Sequence, residues 1–70
     1  FEALRAERRR LAAEHGVPAY VIFHDATLAQ MAAERPQTLA ELAQIGGVGA
    51  AKLERYGADF LAVLRAAGEA

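Results

Sequence analysis

Val17-Pro18-Ala19-Tyr20-Val21-Ile22-Phe23, followed by His24-Asp25, is the stretch whose reading decides the fold. The sequence on either side carries helical periodicity, and this piece does not. Pro18 has no backbone N–H and biases Val17 away from helical angles. Val17, Val21, Ile22 and Phe23 are too apolar for a solvated loop, so the stretch is expected to be a plug that helices close around. No second β-rich run exists to pair with it, which argues against a lone strand. The reading is a buried crossover holding about one turn of tight helix. Tyr20, in its middle, has a polar end that needs water or a partner.

Upstream, Phe1 to His15 is predicted to be a helix, with Phe1, Leu4, Arg8, Leu11 and Ala12 on one face. Gly16 stops it. Arg8 falls in the apolar stripe, so its stem should snorkel and its head should pair with a carboxylate. Arg5 and Arg9 lie i,i+4 on a solvent face, with Glu2 placed to blunt them. Downstream, Asp25 is expected to N-cap a helix from Ala26 to about Glu34, ended by Arg35-Pro36. Thr38-Leu39-Ala40-Glu41 matches a capping box and opens a short helix carrying Leu39, Leu42 and Ile45. Gly46-Gly47-Val48-Gly49 breaks the chain sharply. A last helix follows from about Ala50 to Ala67, with Leu53, Tyr56, Gly57, Phe60, Leu61 and Leu64 as its buried stripe. Gly57 in that stripe implies close approach of another helix. The fold class is therefore all-α, a compact orthogonal bundle of about five short helices in a single domain spanning residues 1–70.

Size and composition bound the rest. A chain of 70 residues has a thin margin of stability, and with no cysteine it has no disulfide or thiolate metal site to reinforce it. Tight helix packing must do that work. The longest apolar run is far short of a membrane span, and no secretory signal pattern is present. A cysteine-free chain fits the cytoplasm. The sequence opens at Phe1 inside a helical pattern, as expected of a piece of a longer protein. The net charge of −1 is no nucleic-acid footprint on average, but Arg5, Arg8, Arg9 and Arg10 crowd one segment.

Three stretches bear on chemistry. For catalysis, Thr27 and Thr38 read as helix-start residues, and His15 and His24 have no metal-ligand spacing to one another. Nucleophile, base and orienter cannot all be filled, so neither an active site nor a cofactor is expected in this chain. The Gly46–Gly49 turn either holds a phosphate oxygen on free N–H groups, with Lys52 one turn on, or is simply a tight helix connection with Ile45 and Val48 tucked inside. Tyr20 is either a stacking platform for an unpaired base or a core ring with a hydrogen-bonded hydroxyl; pattern alone favours the core ring.

Taken together, Leu4-Arg5, Arg8, Leu11-Ala12, Val17-Pro18, Tyr20-Val21-Ile22-Phe23, Asp25, Thr27-Leu28, Met31-Ala32, Pro36, Leu42, Ile45, Gly47-Val48-Gly49, Lys52 and Tyr56-Gly57 resemble the HRDC domain, the helicase-and-RNase-D C-terminal module. The Val-Pro-x-Tyr-Val-Ile-Phe-x-Asp-x-Thr-Leu run is the specific part, in a form similar to bacterial RecQ-type DNA helicases. The resemblance implies an accessory role beside a motor that uses ATP and Mg elsewhere in the parent, in DNA repair and recombination in the bacterial nucleoid. It implies weak contact with single-stranded or branched DNA through Tyr20, Lys52, Arg55 and the Gly47, Val48 and Gly49 turn. Arg5 and Arg9 are expected either to add a secondary basic patch or to be simply a solvated face. The sequence departs from the family in carrying a single lysine, Lys52, with Glu54 and Asp59 nearby; Arg55 and Asp59, i,i+4, are expected to offset each other in part. Two other roles stay open: a protein-contact module docking on the helicase core or a partner, and an RNA-positioning domain of an RNase D-type nuclease. The domain by itself is expected to be a monomer.

Overall fold

A computed structural model describes the backbone of residues 1–69 and the side chains of residues 1–67. Five helices follow in order: α1 Glu2–His15, α2 Ala19–Ile22, α3 Asp25–Glu34, α4 Leu39–Leu42 and α5 Ala50–Glu69. The all-α expectation holds. Helix α1 packs on α2 and α5 and touches α3, while α4 rests on α5.

Local chemistry sets the joints. Gly16 is left-handed, at φ 64°, and closes α1 with a paired cap. Val17 N–H reaches Ala12 O at 3.0 Å, and Gly16 N–H reaches Ala13 O at 3.3 Å. This is a Schellman motif, which turns the chain into the crossover. Arg35 ends α3 in the left-handed region, donating its N–H to Met31 O at 2.8 Å. At α4 the capping box is displaced by one residue. Thr38 Oγ1 accepts from Glu41 N–H at 3.1 Å, but the Glu41 carboxylate takes the N–H of Gln37, at 2.8 Å.

Two expectations need correction. Asp25 is not the N-cap of α3; His24 holds that position, and Asp25 is the first helical residue. Its carboxylate pairs with Arg8 instead, at 2.7 Å. The crossover is a plug only at its end. Ile22 and Phe23 are fully buried, whereas Tyr20 and Val21 face outward. A four-residue helix has one turn, and one turn can send only part of its circumference inward.

Phe23 is the centre of the packing. Its ring meets Phe60 edge-on at 5.0 Å between centroids and Tyr56 at 6.2 Å. Around them lie Leu4, Leu11, Leu28, Met31, Leu42, Ile45 and Leu64, all buried. Arg8, whose side chain is 11% exposed, reaches over this core to donate to Phe23 O at 3.0 Å and to pair with Asp25. The snorkelling stem and paired head read from the sequence are both present. Gly57 is buried where α4 crosses α5: a methyl there would stand 3.1 Å from the ends of Leu39 and Leu53. Leu39 itself is nearly half exposed.

Candidate nucleic-acid interface

Tyr20 is 60% exposed and lies on the outer side of α2, because Ile22 and Phe23 take the inner side. Its ring stacks with that of His24, centroids 6.0 Å apart and planes 27° from parallel. The two rings border an open depression of about 510 Å³ that also touches Arg8, Ala19, Asp25 and Ala26. On the other side of α2, Val21 borders a second depression of about 320 Å³ with Ala51, Lys52, Arg55 and Tyr56. Tyr20 and Val21 are chain neighbours, so the depression bordered by the two rings and the one bordered by the two cations flank the same single turn of α2.

The cations are held differently. Lys52 is half-buried, its Nζ 5.7 Å from the centroid of the Phe23 ring. That contact fixes the ammonium at the rim of the core. Arg55 is exposed. The expected offset by Asp59 does not form: Asp59 turns toward Arg10 on α1, at 3.8 Å. Among the described residues Arg55 has no ion-pair partner.

The glycine turn opens the same end of α5. Gly47 has φ 90°, and a methyl on it would collide with Thr27 Oγ1. That hydroxyl is buried and donates to Gly46 O at 3.1 Å, so α3 braces the turn. The first backbone bond into α5 runs from Leu53 N–H to Gly49 O at 2.9 Å. The N–H groups of Ala50, Ala51 and Lys52 therefore have no intrahelical acceptor. Val48 cannot share in this. Its side chain is buried, and its N–H is donated to Ile45 O at 3.1 Å.

Most arginines of α1 are already engaged. Arg5 pairs with Glu2 at 3.3 Å and lies near the Phe1 ring. Arg10 pairs with Glu7 at 2.6 Å and Glu14 at 2.9 Å. The Glu7 hydrogen bond and charge hold its guanidinium even more firmly protonated than usual, with Glu14 and Asp59 adding. Arg9 is exposed and has no ion-pair partner among the described residues. No group of three His, Asp or Glu among the described residues could hold a metal, and no described helix is long and apolar enough to cross a membrane.

The HRDC domain model matches residues 1–64. The chain belongs to the HRDC domain family. A solved structure, HRDC domain 3 of D. radiodurans RecQ, superposes with a TM-score of 0.95 at 43% identity, covering 99% of this HRDC domain and 91% of that chain. The ATP-dependent DNA helicase RecQ of Pasteurella multocida is 43% identical over 65 residues, 93% of this chain and 10% of the relative. RecQ of Bacillus subtilis is 46% identical over 66 residues, 94% of this chain and 11% of the relative. The ATP-dependent DNA helicase UvrD2 of Mycobacterium tuberculosis (strain ATCC 25618 / H37Rv) is 47% identical over 62 residues, 89% of this chain and 9% of the relative. The HRDC domain thus spans about a tenth of the length of these relatives.

Of the residues picked from the sequence, the fold puts Tyr20, Lys52, Arg55, Gly47 and Gly49 around α2 and the start of α5. Arg5 and Arg9 lie apart on α1, and the first is neutralised. Sequence reasoning passed over Thr27 as a brace and His24 as an aromatic neighbour of Tyr20. The four-residue spacing of His24 from Tyr20 is the signal in the sequence that marks it.

Proposed function

We propose that this HRDC domain is an accessory DNA-binding and regulatory module of a RecQ-type DNA helicase. It makes weak contact, without sequence readout, with single-stranded or branched DNA during repair and recombination on the bacterial nucleoid. ATP and Mg serve a motor elsewhere in the parent. The observation that carries this reading is the outward Tyr20 ring on α2, with Lys52 and Arg55 bordering the depression on the other flank of that turn. An exposed ring on a fixed turn gives an unpaired base a face to stack on. The two cations, with the free N–H groups at the start of α5, take backbone phosphates. Two neutralised phosphates give weak binding, Kd about 10⁻⁴ M or weaker.

Titrating a labelled single strand at low salt tests it. Tyr20→Ala should weaken binding by about 1–3 kcal/mol, the usual worth of one base–aromatic stack, and leave the melting temperature unchanged. Equal binding by the variant and the parent chain would remove the stacking reading.

A second reading, docking on the helicase core or on another protein, is favoured by one observation. The net charge is −1, and Arg5, Arg8 and Arg10 are all tied to carboxylates of this chain. Binding that ignores both Tyr20→Ala and salt would support docking. The relatives named above are DNA helicases, which supports a helicase parent over an RNase D-type nuclease.

A further inference from the structure

Tyr20 accounts for one base. It does not account for the ring beside it. His24 is exposed, lies at the junction between α2 and α3, and stacks nearly parallel to Tyr20, centroids 6.0 Å apart. Nothing in the packing requires an aromatic there. The imidazole makes no hydrogen bond among the described residues, and its one aromatic neighbour is itself on the surface. The depression of about 510 Å³ that the pair borders is framed by Ala19 on α2 and Ala26 on α3, and by Arg8 and Asp25, which are paired with each other. A flat ligand can reach the exposed His24 ring from this open side.

We propose that His24 is a second base-contacting residue, forming with Tyr20 a two-ring ledge on which two successive bases of a single strand lie. This rests on the reading of Tyr20 as a stacking residue. The rings are anchored by different elements, Tyr20 on α2 and His24 at the start of α3, and Arg8 ties these elements together through Phe23 O and Asp25. That clasp holds the backbone that carries the two rings, so part of the ordering a strand needs is already in place. Imidazole stacks on bases as phenol does, and stacking tolerates any base because every base has a π-face. The ledge thus reads strandedness, since paired bases in a duplex do not offer their faces.

A double-mutant cycle on the 70-residue domain tests this, with fluorescence anisotropy of a labelled mixed-sequence single strand as the readout. His24→Ala should weaken binding about five-fold or more, and His24→Phe should restore it. The same loss should recur when His24→Ala is made in the Tyr20→Ala background, because each ring has its own base. If His24→Ala weakens binding only when Tyr20 is present, the imidazole merely orients the phenol and the two-base ledge is wrong. If His24→Ala changes nothing while Tyr20→Ala weakens binding, the ledge falls and the function proposed above stands. If Tyr20→Ala changes nothing, both fall. Thermal melting of each variant separates lost contact from lost fold; both side chains are exposed, so the melts should coincide.

Discussion

Gly16 and Gly47 both sit at positive φ, yet their replacement should differ in cost. A methyl on Gly16 meets no atom within 4 Å, so Gly16→Ala suffers only the left-handed strain, about 1–2 kcal/mol. A methyl on Gly47 also strikes Thr27 Oγ1, a buried hydroxyl fixed by its bond to Gly46 O. Overpacking adds about 1–3 kcal/mol, so Gly47→Ala should lose roughly twice as much. Urea unfolding of the two variants checks the order. Thr27→Ala, which also loses the bond to Gly46 O, should cost less in the Gly47→Ala background than in the parent chain; an equal cost in both would mean that Thr27 is not the wall.

At the scale of elements, Arg8 joins α1 to the α2–α3 junction. Arg8→Met keeps the stem but strips Phe23 O and Asp25 of their donor, and should cost about 1–3 kcal/mol by thermal unfolding. Asp25→Asn should cost less, below about 1 kcal/mol, because that carboxylate is 80% exposed. Gly57→Ala gains helix propensity worth up to about 1 kcal/mol and must push aside the ends of Leu39, which is half-exposed, and of Leu53, which is only partly buried. Its stability should match the parent's to within about 1 kcal/mol, and a large loss would show that Leu39 or Leu53 is pinned.

Elements are also where the sequence was most legible. Helix ends announced themselves through Gly16, Arg35-Pro36 and Thr38, because each acts on its own backbone. The direction of Tyr20 was not legible, since one turn of helix has no periodicity from which to choose a face. Asp25 was misread as a cap because its partner, Arg8, lies 17 positions away in the chain. The Arg55–Asp59 offset failed for the same reason: Arg10, on another helix, competes for Asp59.

For the molecule as a whole, net charge says little, and the distribution of unpaired charge says more. With Lys52 and Arg55 as the phosphate contacts, log affinity for single strands should fall against log salt with a slope of about −1.4. Lys52→Ala or Arg55→Ala should each bring that slope toward zero by about 0.7, whatever the strand's sequence. A flat salt response would exclude backbone contact. The candidate site was only partly legible for a related reason. Residue types pointed to Tyr20, Lys52 and Arg55, but no local pattern reports that α2 and the first turn of α5 come together.

Phe23 joins three jobs in one residue. Its carbonyl steadies Arg8, its ring carries the Lys52 ammonium, and the same ring wedges against Phe60 and Tyr56 deep inside. Trimming Phe60 would let that wedge tilt and carry the ammonium out of register with the phenol. An interior mutation would then blunt the grip on a strand it never meets.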